Sequence, residues 1–225
     1  MSPKKYLAAF TTACLLISSP AALAVVVLQA AGVLVDMSMG SASGYPPSAM
    51  IDQTGLTGAD RYVSGVTEYD SYVDPPSGPK PIHAAAISSG NSWRNDRNGA
   101  LTGFIDYDLG GDFLVSNVAL WSGSGNSDFG SLQGFDVWVD AVPAGTFVAD
   151  NQFNPLEVQN FELNMPLVGT HVRFGVTSNY GAGVSIAEVA FGVSPVTPVT
   201  IGEPFTVALL GIGLAGFGIR KRPLA

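Results

Sequence analysis

The sequence predicts an all-β sandwich set between two terminal targeting segments. Three observations lead there. Charged residues make up only 12% of the 225-residue chain, while glycine occurs 27 times. Water-facing helices draw on Glu, Lys and Arg and tolerate glycine poorly, which disfavours a helical bundle. Apolar residues of the body alternate at period two rather than recurring at helical spacing, and Gly-, Ser- and Asn-rich clusters cut that alternation into short runs. The length suits one domain with short extras.

Residues 1–24 read as a signal peptide. Lys4 and Lys5 supply the positive start, an apolar stretch follows, Ser18-Ser19-Pro20 breaks it, and Ala22-Leu23-Ala24 offers a cleavage triplet. The alternative is an uncleaved anchor running on through Val25-Val26-Val27-Leu28, which Pro20 and the triplet oppose. The only cysteine, Cys14, lies inside this segment and outside a lipobox setting. A mature chain would therefore carry no disulfide, no thiol nucleophile and no cysteine metal site.

The body, residues 25–193, reads as strands. In Phe135-Asp136-Val137-Trp138-Val139-Asp140 the residues Phe135, Val137 and Val139 share one face, with Trp138 on the other. Residues 171–176 alternate likewise, Val172, Phe174 and Val176 inward and Arg173 outward. Ala187, Val189 and Phe191 form a third inward set, leaving Glu188 opposite. Residues 104–109 and 113–121 are two further strands, separated by a turn at Gly110-Gly111-Asp112, and residues 122–128 form a second turn cluster. Residues 74–98, with Pro75, Pro76, Pro79 and Pro81, read as long surface loops interrupted by a short strand within 82–87. Such loops on a rigid sandwich are where binding residues gather, and also where insertions do least harm.

Charge narrows the partners. The chain carries −8 overall, but Lys4, Lys5, Arg220, Lys221 and Arg222 sit at its ends. Between Val25 and Thr200 there are 17 acids and five bases, a net of −12. Such a body repels nucleic acid and anionic lipid, and nucleic-acid binding is excluded.

The C-terminus repeats the targeting logic. Residues 194–201 are a Pro/Val/Thr linker, and residues 202–225 begin with Gly202-Glu203-Pro204, continue through fifteen uncharged residues (205–219), and close on Arg220-Lys221-Arg222. As a helix those fifteen would span about 22 Å, short of the roughly 30 Å hydrocarbon core. The cations would hold the tail on the cytoplasmic side. A buried core helix would explain the apolar run but not the cation cluster. This tail resembles the PEP-CTERM sorting signal of exopolysaccharide-producing Gram-negative bacteria, with Gly202 standing where that family has its first proline. The resemblance implies a transmembrane sorting helix in the inner membrane, cleavage by an exosortase-type enzyme, and a final place at the cell surface, outside the cell or in the biofilm matrix.

A second resemblance covers about 150 residues of the body. Phe104-Ile105-Asp106-Tyr107-Asp108-Leu109-Gly110-Gly111 with the following strand looks like the centre of discoidin domains, the coagulation factor V/VIII C-type, galactose-binding-like modules related to family 32 carbohydrate-binding modules. Gly134-Phe135-Asp136-Val137-Trp138-Val139 is similar to their next strand. His171-Val172-Arg173-Phe174, Ser178-Asn179-Tyr180-Gly181 and Ser185-Ile186-Ala187-Glu188-Val189-Ala190-Phe191 are similar to their closing strands. Ala49-Met50-Ile51-Asp52 with Thr57 resembles their early motif. The resemblance implies a discoidin-like jelly-roll β-sandwich whose end loops bind glycans. It also implies a structural calcium ion held by Asp52, Thr57 and Glu188, a hard cation wanting six to eight oxygen ligands. The alternative is that Asp52 caps a turn and Glu188 is solvated.

Sugar binding needs an aromatic face for C–H groups and polar side chains for hydroxyls. Trp93, Arg94, Asn95 and Arg97 offer that mix within one short polar segment, with Asn179, Tyr180 and Tyr62 as further candidates. A packed Trp in a turn with paired surface charges is the alternative. Trp138, pointing outward, is either a sheet-face contact or covered by a loop. Catalysis has little support: no G-x-S-x-G, H-E-x-x-H or P-loop occurs, and His83 and His171 stand in no ligand or triad spacing. Asp106 and Asp108 share a strand face about 7 Å apart, near the separation of glycosidase carboxylates, but both lie on a scaffold strand. The expected protein is a secreted, non-enzymatic carbohydrate-binding module. The alternatives are an adhesive matrix protein with no defined sugar and, further off, a polysaccharide hydrolase.

Overall fold

The computed structural model describes residues 24–84, 90–123 and 130–196. The signal peptide up to residue 23, most of the linker, the sorting segment with Gly202, Glu203, Pro204, Arg220, Lys221 and Arg222, and residues 124–128 of the turn cluster lie outside the described residues. Among the described residues no helix is long and apolar enough to cross a membrane.

Along the chain come β1 (Val26–Leu28), β2 (Gly32–Val35), the helix α1 (Tyr69–Val73), β3 (Ile82–His83), β4 (Trp93–Arg94), β5 (Gly103–Trp121), β6 (Ser131–Leu132), β7 (Gly134–Val139), β8 (Val142–Val148), β9 (Leu156–Glu157), β10 (Gln159–Val176), β11 (Asn179–Tyr180), β12 (Ser185–Ile186) and β13 (Glu188–Pro195). Seven of the strands form one antiparallel sheet in the order β1-β13-β5-β10-β7-β8, with β2 also paired to β5. Three two-stranded pairs, β11-β6, β12-β4 and β3-β9, tie down the loops.

Two long strands give this sheet its shape. β5 has 19 residues and β10 has 18. The first half of β5 takes β2 on one side (Val35↔Ile105, Gly32↔Asp108), while its second half takes β13 on that side (Val193↔Val115, Glu188↔Trp121). β10 follows on the other side with register shifts between Glu162 and Leu167 and between Gly169 and His171. The sheet therefore divides into β2-β5-β10-β7-β8 and β1-β13-β5-β10 halves that fold over one another. Aromatic rings close the interior between them: Tyr107 lies 5.0 Å from Phe174 and 5.4 Å from Phe191, and Phe135 lies 5.2 Å from Phe161 (centroids). The result is a β-sandwich built largely from one bent sheet.

Two expectations are corrected here. Gly110-Gly111-Asp112 does not reverse the chain. Gly110 adopts φ 77° and its N–H donates to Asp108 Oδ1 at 2.9 Å, while β10 keeps pairing on both sides through His171↔Asp108 and Gly169↔Phe113. The turn residues make a bend within one strand. Nor does Glu188 lie on a solvated face. β13 is buried on both faces, Val189, Phe191 and Val193 in the inter-sheet core and Ala190 in a second cluster with Tyr62, Tyr69, Tyr72 and Trp121. Helix α1, whose Glu68 cap accepts from Asp70 N and Ser71 N, supplies Tyr69 and Tyr72 to that cover.

Candidate functional site

Residues 92–95 of the polar segment are inside the protein. β4 pairs with β12 (Trp93↔Ile186, Arg94↔Ser185), so these residues belong to a strand and not to a free loop. Trp93 is fully buried and its Nε1 donates to Ser41 Oγ at 2.9 Å. The Arg94 guanidinium lies 4.4 Å over the Tyr45 ring. The Asn95 side chain accepts from Val184 N at 2.9 Å and donates to Ala100 O at 3.2 Å. All three fasten loops together, and no face of Trp93 is open to a ligand. Arg97 is exposed in the turn that follows. Asn179 donates to the carbonyls of Gly181 and Gly183 at 3.0 and 3.1 Å, and Tyr180 Oη donates to Ala149 O at 3.1 Å. Both are half-buried, spent chiefly on shaping their own turn.

Asp52 and Glu188 are brought together. Glu188 is fully buried; its Oε2 accepts from Gln53 N at 3.0 Å and its Oε1 from Tyr62 Oη at 3.2 Å, tying the closing strand to the early loop. Burial drives its pKa well above the usual carboxylate range, the two hydrogen bonds pull it back, and the nearby Asp52 charge raises it further. Asp52 is exposed and accepts from Thr54 N at 2.8 Å, while the Thr57 carbonyl accepts from Asp60 N at 3.1 Å. Beside this loop His83 is fully buried, with no hydrogen-bond partner for either ring nitrogen among the described residues, and burial holds its pKa down at about 4. Among the described residues no cluster of three or more His, Cys, Asp or Glu could hold a metal. A buried carboxylate beside a second one fits two positions of an oxygen set for a hard cation. The Thr57 carbonyl already accepts from Asp60 N, so its second lone pair, its hydroxyl and neighbouring backbone oxygens are the remaining candidates for such a set.

The outward face of the β2-β5-β10-β7-β8 half carries a different arrangement. Pairing sets Leu34, Asp106, Arg173, Trp138 and Pro143 in one row across five strands. Two residues along, a second row holds Phe104, Gly175, Asp136 and Thr146. Alternation puts these on one face, with the register shift in the β7–β8 pair bringing Pro143 and Thr146 to the same side. Gly175 is the gap that shapes the surface: a β-carbon there would stand 2.6 Å from Trp138 Cζ3 and 3.5 Å from Phe104 Cε1. Without it the two rings meet over the strand edge-to-face, centroids 6.2 Å apart. Arg173 lies 4.9 Å over Phe104 and donates twice to Asp106, Nε to Oδ1 at 2.6 Å and Nη2 to Oδ2 at 2.9 Å, which raises the guanidinium pKa further. An open groove of about 560 Å³ runs over these residues and on to Asp140 and His171. His171 is exposed within β10, its Nδ1 2.8 Å from Thr170 Oγ1, rather than at a strand start. Asp140 holds the β10 backbone through Thr170 N at 3.0 Å and His171 N at 2.9 Å.

This geometry suits binding by stacking and hydrogen bonding. It does not make the Asp106–Asp108 pair a hydrolytic one: Asp106 is neutralised by Arg173, and Asp108 is bonded to the Gly110 bend. The outward position of Trp138 was legible from period two. Its meeting with Phe104 was not, because only strand order and register make them neighbours.

No family model matches the chain, and no curated protein matches it. Among solved structures the chain is similar to the family 32 carbohydrate-binding module from Clostridium perfringens NanJ, solved with galactose, at 14% identity and TM-score 0.47, covering 72% of this chain and 92% of that one. It is also similar to a Streptococcus pneumoniae fucose-binding module, SpX-3, at 12% identity and TM-score 0.46, covering 76% and 96%. A third similar structure is the family 32 module of AlyQ, solved with 4,5-unsaturated mannuronic acid, at 15% identity and TM-score 0.43, covering 73% and 96%.

Proposed function

We propose that this protein is an exported carbohydrate-binding module that holds glycan on the outer face of its sandwich. The observation that carries the reading is the Phe104–Trp138 corner standing beside the bidentate Arg173–Asp106 pair in an open groove. Exposed aromatic edges and faces stack on the C–H side of a sugar, and a fixed guanidinium and carboxylate beside them present donors and acceptors to its hydroxyls. The sequence resemblance to discoidin-like modules supports the same class of ligand. Residues 1–24 and the PEP-CTERM-like segment 202–225 support export through the inner membrane of a Gram-negative bacterium, exosortase-type processing, and work in the surface or exopolysaccharide layer. A structural calcium ion, with Asp52 and Glu188 among its ligands, belongs to this reading as a brace for the early loop.

The test is retention of the purified full chain in gels containing neutral polysaccharide. Trp138→Ala and Arg173→Lys are each expected to weaken retention by roughly tenfold or more, the scale of losing one well-placed contact. Unchanged retention in both variants, with the fold intact by circular dichroism, would remove the sheet-face reading. Absence of retention in the unaltered protein would favour an adhesive matrix role.

A further inference from the structure

The groove does not end at Trp138. A second hollow of about 520 Å³ lies on the far side of the same indole, lined by Asp136, Pro143, Gly145, Thr146 and Asn164. Both hollows are of the size that takes small organic ligands, about 300–1,000 Å³, and Trp138 is common to both. The row from Leu34 to Pro143 crosses four inter-strand spacings, about 19 Å, which is room for several sugar rings in line and more than a single one needs. Neither end of the row is walled among the described residues: Leu34 is 75% exposed at one end, and Pro143 and Thr146 are exposed at the other.

Polar groups stand on both sides of the indole. On one side are Asp106 and Arg173. On the other, Asp136 accepts from Thr146 Oγ1 at 2.5 Å, and the exposed Asn164 carries a free-standing amide edge to the hollow. The charges do not balance. Among the described residues Asp106, Asp136 and Asp140 face the surface against Arg173 and the imidazole of His171, and Arg173 is already engaged by Asp106. A uronate or sulfated chain would meet net repulsion there, whereas hydroxyl groups would meet acceptors and donors in alternation.

We propose that the sheet face recognises the interior of a neutral, linear polysaccharide laid across the strands, with Trp138 as the central platform and a subsite on either side. This rests on the glycan-binding reading and adds chain length, chain interior and charge class to it. A site of this form gains affinity as the ligand lengthens past Trp138, and it is indifferent to what the chain ends carry.

The experiment is calorimetry and tryptophan fluorescence on the purified full chain with neutral gluco-, manno-, galacto- and xylo-oligosaccharides, from mono- to hexasaccharide. In the series that binds, affinity is expected to rise about tenfold or more between di- and hexasaccharide, and to survive modification of both chain ends. Asn164→Ala and Thr146→Val, both at exposed positions in the second hollow, are expected to weaken the hexasaccharide several-fold and to flatten the rise of affinity with chain length. Affinity that is flat with length, or lost when the ends are modified, would overturn the inference and leave the glycan-binding reading standing. Equal affinity for oligouronates would overturn the neutral class. No binding to any series would overturn both readings together.

Discussion

The imidazole of His83 lies where a β-carbon on residue 55 would have to stand, with Cε1, Nε2 and Nδ1 all inside van der Waals contact of that point. Gly55 is glycine because the ring occupies the space of a β-carbon there, while Ala84 N donates to Gly55 O at 2.9 Å and holds the two segments in place. Replacing Gly55 by Ala is expected to destabilise the protein by about 1–3 kcal/mol, the usual cost of overpacking. Urea denaturation measures it, and an unchanged midpoint would mean that the ring has room to move.

The same ring sets an acid dependence. Its folded pKa of about 4 lies below the ordinary histidine value of 6.5, so the stability it contributes is complete above pH 6.5 and is lost as pH falls toward 4. The cause is burial, which outweighs the opposing pull of the Ala84 backbone and the Asp52 charge. His83→Leu is expected to flatten the fall in thermal midpoint across that window. A slope unchanged by the substitution would assign it to other groups.

Glu188 works in the opposite direction. Its folded pKa is raised above the ordinary glutamate value of 4.5, so without a cation its contribution is complete below pH 4.5 and declines as pH rises through the folded value. In chelator, Glu188→Gln is expected to remove that decline while keeping an acceptor for Gln53 N. Added calcium is expected to raise the thermal midpoint of the unaltered protein near neutral pH and to do nothing for the variant. A midpoint indifferent to calcium in the unaltered protein would remove the ion from the account.

Trp93 and Trp138 are expected to separate stability from binding. Trp93 is fully buried and bonded to Ser41, so Trp93→Ala should cost about 3–5 kcal/mol. Trp138 rests on an outer face and its removal should cost far less stability while removing the central platform of the groove. Chemical denaturation of both variants beside gel retention of Trp138→Ala checks the pair.

Much of the fold was legible because a half-buried strand writes its burial as period two. The inward sets Phe135, Val137, Val139 and Val172, Phe174, Val176 are buried as that pattern requires. What was not legible depends on pairing over long sequence distances. Polar composition made residues 93–95 look like a surface loop, yet pairing with residues 185–186 draws them inside. Glu188 alternates as an outward residue, but α1 and the tyrosine cluster cover that face, and nothing in residues 185–191 announces a lid supplied from residues 62–73. The groove shows the same limit: Phe104, Trp138 and Arg173 come from three strands, and only their register makes one surface of them.

The chain enters and leaves this sandwich at a single corner. Val26 pairs with Val193 on adjacent antiparallel strands, and Ser194 Oγ donates to Ala24 O at 3.3 Å. Tension applied between those two points would load the β1–β13 hydrogen bonds one after another from Val26 inward, so the edge would unzip instead of resisting in shear. Tension applied between one of those points and a polymer lying across the opposite half would instead pass through the long strands β5 and β10, which run through both halves of the molecule. Between its own two ends the fold would open strand by strand, whereas a load reaching the far half would have to cross the long β5–β10 ladder.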